Sequence, residues 1–466
     1  MKEALVEFDL AIIGSGGAGF AAAIAAAKME LSVVMVERST IGGTCVNVGC
    51  IPSKALLAAA EASHTAAGNA FPGTFTSAES PDMSALVAGK SEIVDMLRRD
   101  RYEELASEYG WKVLKAQGRF AAGPVLEVEG RRVEASHYLI ATGASPWVPP
   151  IPGLEEAGYL TSTTAMELER LPSSLIVVGG NYVGLELGQM FARLGCSVTI
   201  LEALPRVAAS EEPEISESIE AVLEDEGIRV IAPAKPVRVS RLADEVVVTL
   251  EDGNEVRAEE ILMATGRRPN SSGLGLEDVG VEIGHLGAIQ VDATLRTANA
   301  RIWAAGDVTG APQFVYVAGS HGRMVVENAF LGTSQKVNYS NLPRVTFTSP
   351  NIAAVGLTEA EVTRAGSSCI SRVLPLSYVP RAVVNRDTRG VVKIVADPGT
   401  RRVLGIHMVG PNAGECILAA TYALETSMTI EQLASTWAPY LTMAEAIKLA
   451  AQSFNTDVSK LSCCAS

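Results

Sequence analysis

A short apolar stretch, Phe8 to Ile13, is interrupted only by Asp9 and breaks at Gly14-Ser15-Gly16-Gly17-Ala18-Gly19. An alanine-rich run from Phe20 to Met29 follows, then a second apolar stretch, Leu31 to Val36, ending at Glu37. This order predicts strand, glycine-rich turn, helix and strand. The pattern returns downstream: Leu175 to Val178 reads as a strand, Gly179 to Gly184 as the turn, Leu185 to Leu194 as a helix, and Ser197 to Leu201 as a strand leading to Glu202. Gly14 and Glu37 are 23 positions apart, as are Gly179 and Glu202. In such a unit the glycines let the backbone approach a pyrophosphate at a helix N-terminus, and the acid accepts from ribose hydroxyls. Gly14, Gly16, Gly17, Gly19 and Glu37 are the candidates in the first unit, and Gly179, Gly184 and Glu202 those in the second. Asn181 replaces one glycine of the second turn. Because Asn tolerates left-handed geometry, a modified turn is expected there. Two dinucleotides are implied.

Further echoes support the duplication, since Leu139 to Gly143 and Leu262 to Gly266 each close a strand-rich segment on Ala-Thr-Gly. Proline-rich stretches from Pro146 to Pro152 and around Pro172 punctuate the entry to the second unit. Beyond about residue 341 alternating patterns, Val391 to Val395 and Val403 to Val409, precede helical patterns from Glu415 to Thr426 and Thr442 to Phe454. The expected fold is α/β, with two Rossmann-like dinucleotide-binding domains and a C-terminal α+β domain. The expected divisions are 1–150 with 271–340, 151–270, and 341–466.

Composition narrows the function. A net charge of -15 excludes a broad phosphate-tracking surface, so no nucleic-acid partner is expected. Lys28 and Glu30 end the apolar stretch from Ala21 to Ala27 well short of the roughly 20 residues of a membrane span. With no secretory signal pattern at the start, a cytoplasmic protein is expected. The seven cysteines, Cys45, Cys50, Cys196, Cys369, Cys416, Cys463 and Cys464, are too unevenly placed for a disulfide framework. Close pairs in a reducing compartment point to catalysis or metal binding, and single ones to buried structural thiols.

The strongest chemical signal is Gly42-Gly43-Thr44-Cys45-Val46-Asn47-Val48-Gly49-Cys50-Ile51-Pro52-Ser53-Lys54. Two thiols five residues apart at the entrance to a helix can meet, and a helix N-terminus favours thiolates. With this motif, the two nucleotide units, both Ala-Thr-Gly segments and Ala305-Gly306-Asp307, the whole chain resembles the flavin-dependent pyridine nucleotide-disulfide oxidoreductases. The resemblance implies FAD, a nicotinamide cofactor and a homodimer formed through the C-terminal domain. It places Cys50 against the flavin and makes Cys45 the outer thiol that meets substrate. It pairs Lys54 with Glu186 near the reactive flavin nitrogen, gives Glu37 the FAD ribose, and sets Asp307 at the ribityl-phosphate region. Gly43, Thr44, Thr142, Gly143 and Gly266 join the cofactor-binding set, and Tyr182 resembles an aromatic gate that nicotinamide displaces.

The C-terminal segment selects the substrate. Disulfide reductases of this family carry a His-Pro-Thr-x-x-Glu stretch, whose His shuttles protons for thiol exchange. Here the residues are Tyr440-Leu441-Thr442-Met443-Ala444-Glu445, and none of the five histidines lies among them. Glu445 remains, but a phenol titrating near 10 is a poor shuttle at neutral pH. The ending Cys463-Cys464-Ala465-Ser466 adds vicinal thiols that suit a soft thiophilic ion. Together with Cys45 and Cys50 these features resemble the Hg(II)-reducing branch of the family, with Hg(II) arriving as thiol complexes and all four cysteines as metal ligands. The metal-trapping domain that commonly opens that branch is not expected in these 466 residues, which start directly on the FAD strand. NADPH is expected from the resemblance, with Arg206 as a phosphate contact, whereas Glu202 by itself suits the unphosphorylated ribose of NADH. The rivals are a lipoamide- or glutathione-type disulfide reductase, and a thiol-based metal sequestration protein that leaves two nucleotide units without purpose.

Overall fold

The computed structural model describes residues 6–460. They form two compact units, the first from 6–55, 85–148 and 265–337, the second from 56–84, 149–264 and 338–460.

In the first unit, β1 (Val6–Ile13), α1 (Gly17–Ala27) and β2 (Val33–Glu37) appear in the expected order, followed by α2 (Gly43–Val48) and the first residues of α3 (Cys50–Ala67), whose remainder belongs to the second unit. Strands β3 (Lys112–Lys115), β4 (Gly118–Ala121), β5 (Val125–Val128) and β6 (Arg131–Ile140) complete a sheet of order β3-β2-β1-β6-β5-β4, with Ile302–Ala304 also paired to β6. β1 runs parallel to both β2 and β6. All five β2 residues are buried, as a strand covered on both faces requires. Leu10, Ile12 and Met35 point into a core beneath α1, while Ala11, Ile13 and Val34 join the core on the opposite face. α1 starts three residues earlier than its apolar run because the helix begins within the glycine turn. It packs on helix Val315–Leu331 so closely that a Cβ on Gly322 would stand 2.0 Å from the Ala18 carbonyl oxygen.

The second unit repeats the motif with β7 (Leu160–Thr161), β8 (Ser174–Val178), α4 (Tyr182–Arg193), β9 (Ser197–Leu201), α5 (Pro213–Asp225), β10 (Arg229–Ile231) and a last strand, Glu260–Met263. The sheet order is β10-β9-β8, then Glu260–Met263, then β7, and all pairings are parallel. The same unit holds a C-terminal antiparallel sheet built on Arg344–Thr346, Asn351–Gly356, Ile370–Pro375, Val391–Ala396 and Val403–Gly410. Helices Ala413–Glu425 and Glu445–Gln452 cover it. The second helix is shorter than its pattern predicted: Leu441, at φ +61°, turns the chain just before it. Among the described residues no helix is long and apolar enough to cross a membrane.

Candidate functional site

The two glycine turns are near copies. Gly14 (φ +101°) donates its N–H to Val36 O at 2.8 Å, and Gly179 (φ +112°) donates to Leu201 O at 2.8 Å. A Cβ on Gly19 would fall 2.3 Å from Gly14 O, and one on Gly184 would fall 1.8 Å from Gly179 O. No side chain fits between turn and helix in either unit. A Cβ on Gly43 would likewise lie 2.5 Å from Gly16 Cα, and Gly17 begins α1 beneath Val315. Backbone this bare at a helix N-terminus fits a dinucleotide pyrophosphate.

Each strand-end acid is anchored to its own turn. Glu37 accepts from Ser15 N (3.1 Å) and Oγ (2.7 Å) and, on its other oxygen, from Ser39 N (2.8 Å). Glu202 accepts from Gly180 N (2.7 Å) and Leu204 N (2.8 Å). Both carboxylates are thus held at the strand end, where the remaining lone pairs can receive ribose hydroxyls. Asn181 departs from expectation: at φ -114° it is extended, and as the cap of α4 it accepts from Tyr182 N at 3.0 Å. Gly16, at φ -79°, has the same role for α1, so this position never demands left-handed backbone. Arg206 is also differently employed. Its Nε donates to Ser216 Oγ and its Nη2 to Ala209 O and Glu211 O, which commits the guanidinium to the loop itself.

Cys45 sits in α2 and Cys50 opens α3. Cys45 is half-buried and Cys50 exposed. A hydrogen bond with the Cys50 side chain and then burial push the Cys45 thiol far above its ordinary range, against the pull of Lys54 one turn into α3. The helix-terminus argument therefore applies to Cys50, the first residue of a long helix, and not to Cys45. Residues outside the motif complete this surrounding. Asn47 donates to Ile41 O and Gly43 O, both at 2.9 Å, and accepts from Arg98 Nη1 at 3.2 Å, which fixes the turn carrying Gly43 and Thr44. Tyr102, in a π-helical turn over 99–103, stacks edge-on against Phe20 at 4.7 Å. Burial raises its phenol, and so does its proximity to Cys45 and Cys50. No spacing rule links residues 98–102 to the thiol motif, so the sequence carried no signal for them.

The Ala-Thr-Gly echoes meet in the first unit. Thr142 Oγ1 donates to Asn270 O at 2.8 Å, Asn270 N to Gly143 O at 2.9 Å, and Trp147 N to Gly266 O at 2.9 Å. Gly143 (φ +66°) and Gly266 (φ +105°) make the bends. Asp307 follows Gly306 in a short 3-10 turn, where burial raises its carboxyl and Arg267 opposes the rise.

In the second unit Tyr182 opens α4, and burial, then Glu211, raises its phenol. Glu186 on the same helix is buried and accepts from Phe347 N at 2.8 Å. Tyr440 is 48% exposed, whereas Glu445 is buried at the head of its helix. Burial lifts the thiols of Cys196 and Cys416 to about 12 and about 11, as inert core cysteines. Cys369 is only half-buried, contrary to the buried state expected of a single cysteine. Cys463 and Cys464 lie outside the described residues.

Residues 8–322 match the pyridine nucleotide-disulphide oxidoreductase family, and residues 342–451 match its dimerisation domain. The chain is 55% identical to mercuric reductase from Streptomyces lividans over the full length of both, and 48% identical to mercuric reductase from Bacillus cereus over 98% of this chain and 73% of that one. Among solved structures it resembles the Cu(II) complex of the HOCl-induced flavoprotein disulfide reductase RclA from Escherichia coli (TM-score 0.85, 32% identity, 94% of this chain and 98% of that one). It is similar too to LpdA from Mycobacterium tuberculosis (TM-score 0.86, 28% identity, 96% and 100%). Two bare glycine cradles, each with an anchored acid, a thiol pair at a helix start and matches over both segments place this chain in the pyridine nucleotide-disulphide oxidoreductase family, as an NAD(P)H-dependent flavin oxidoreductase.

Proposed function

We propose that this chain is a mercury(II) reductase, which converts Hg(II) and NADPH to elemental mercury, NADP+ and a proton, and that it acts as a cytoplasmic homodimer in mercury detoxification. The observation that carries the reading is the hydrogen-bonded pair Cys45 and Cys50 in a chain that has Tyr440 where a disulfide reductase needs histidine. We assign 1–150 with 271–340 to FAD, 151–270 to the nicotinamide nucleotide, and 341–466 to dimerisation. Gly14, Gly16, Gly17, Gly19, Glu37, Gly43, Thr44, Thr142, Gly143 and Asp307 would hold FAD; Gly179, Gly184, Glu202 and Gly266 would hold the nucleotide, while Arg206 is taken up by its own loop and α5. FAD, when bound, would supply the redox centre between the nicotinamide and the thiol-held ion.

The protein's own contribution is to hold that ion. Cys50, exposed at the start of α3, presents the sulfur that a flavin ring would cover, and Cys45 faces the incoming metal. Two neighbouring thiols suit a soft divalent cation, and each thiolate bond to the ion releases a proton. Lys54, in proposed pairing with Glu186, supplies positive charge beside the thiols. Tyr182 gates the nicotinamide side. Tyr440 would lend a hydrogen-bond donor to the ion, and Cys463 and Cys464 would deliver Hg(II) from its complexes with small thiols.

The test is aerobic NADPH oxidation by the flavin-loaded protein with Hg(II) in excess thiol, run beside oxidised lipoamide and oxidised glutathione. Oxidation dependent on Hg(II), with release of volatile mercury, is expected. Equal rates with the disulfides would make the chain a disulfide reductase, and Hg(II) binding without NADPH oxidation would make it a sequestration protein.

A further inference from the structure

The loop after β9 starts at Glu202 and ends in two consecutive acids, Glu211 and Glu212, which are 3% and 2% exposed. The C-terminal sheet supplies a cation for each. Arg344 grips Glu211 with both prongs, Nε to Oε1 at 2.6 Å and Nη2 to Oε2 at 2.8 Å. Lys393, also 2% exposed, donates to Glu212 Oε2 at 3.0 Å and meets Glu214 and Glu359 at 2.8 and 2.9 Å. The Glu359 N–H donates to the second oxygen of Glu212 at 2.7 Å. His407, wholly buried, brings Nδ1 to 3.8 Å from Glu211. Burial by itself would raise the Glu211 carboxyl, but His407 and Arg344 override it and hold it at about 2.

The acids are tied to the nucleotide turn by an unbroken chain of contacts. Arg206 donates to Glu211 O at 2.8 Å, and Ser216 Oγ to Val207 O at 2.7 Å. Ala208, in the left-handed region at φ +46°, donates its N–H to Gly180 O at 2.8 Å. Val207 lies so near that a Cβ on Gly180 would be 2.7 Å from its Cγ1. A non-glycine residue in that conformation is strained and persists only where its surroundings over-determine it. Buried ion pairs add little net stability because desolvation offsets their attraction, whereas a buried bidentate pair specifies one geometry.

We propose that Glu211–Arg344 and Glu212–Lys393 form a clamp through which the C-terminal sheet holds the Glu202 loop and the Gly179–Gly184 turn in nucleotide-binding geometry, making Arg344 and Lys393 positioning residues for pyridine nucleotide affinity. The inference rests on the reading that this turn takes the nicotinamide nucleotide. It assigns to the dimerisation segment a second role, inside its own chain, that no sequence motif announces.

The test uses the flavin-loaded protein and NADP+, which binds without turnover, measured by calorimetric titration. Glu211→Met/Arg344→Met removes both members of the bidentate pair together; Arg344→Lys keeps the charge but loses the fork. The double variant should bind NADP+ about tenfold more weakly and the lysine variant about threefold, in the range of ordinary coupling between sites. KM for NADPH should rise in parallel, while kcat at saturating NADPH and flavin content stay within twofold. Wild-type affinity in both variants, or a fall in kcat with KM unchanged, overturns the clamp alone. Failure of the wild type to bind NADP+ or NAD+ would overturn the nucleotide reading, and the clamp with it.

Discussion

Replacing Glu202 by Ala should raise use of NADPH relative to NADH. The carboxylate is held at the end of β9 by Gly180 N and Leu204 N at 2.7 and 2.8 Å, so it cannot swing away from a ribose without breaking two hydrogen bonds. A 2′-phosphate in place of the hydroxyl that this carboxylate receives would bring like charges to about 5 Å, worth about 3 kcal/mol per charge pair at an effective dielectric of about 20. Glu202 is half-buried, and solvent and salt reduce this to about 1.4 kcal/mol, or about tenfold. Loss of the two loop hydrogen bonds weakens both nucleotides alike and cancels in their ratio. The assay is kcat/KM for NADPH over that for NADH, at low and at physiological ionic strength. A tenfold rise in the ratio is expected, and a smaller rise at the higher ionic strength, where the repulsion is screened. A ratio unchanged within twofold at both salt levels would mean that Glu202 does not face the 2′-position, and the electrostatic argument would be wrong.

Gly19→Ala should yield folded protein that retains little FAD, since its Cβ would lie 2.3 Å from Gly14 O; flavin absorbance per chain measures it. Tyr440→His should raise reduction of small disulfides by about a hundredfold, the lower end of general acid-base catalysis, and wild-type disulfide turnover as fast as that of Hg(II) would refute the role given to Tyr440. Changing Cys463 and Cys464 together to Ala should slow turnover of Hg(II) bound to bulky thiols while sparing halide complexes, and equal loss on both would point away from delivery. Glu211 is depressed from its ordinary 4.5 to about 2, so the stability it contributes is complete above 4.5 and is lost as pH falls from 4.5 toward 2. Thermal unfolding of Glu211→Met/Arg344→Met should therefore depend less steeply on pH across that window than the wild type.

Local rules determined a good deal of this protein. The glycine turns, the strand-end acids and the thiol motif were legible because each is a short-range demand of backbone on sequence: Gly14 and Gly179 need positive φ, and Gly19 and Gly184 leave no room for Cβ, wherever the unit occurs. Repetition at the same 23-residue spacing then implied two nucleotides, and Tyr440 could be interpreted because a familiar motif surrounds it. Tertiary structure decided what depends on partners distant in sequence. Asn181 caps a helix in extended backbone, Arg206 turns into its own loop, and Cys45 titrates above its ordinary range because it is hydrogen-bonded to Cys50 and partly buried. Glu211 and Glu212 look like a solvated acidic run ahead of α5, yet Arg344 and Lys393, more than 130 positions away, bury them. A carboxylate's environment is set by whichever cation the fold packs over it, and the chemical identity of the residue says nothing about which cation that will be.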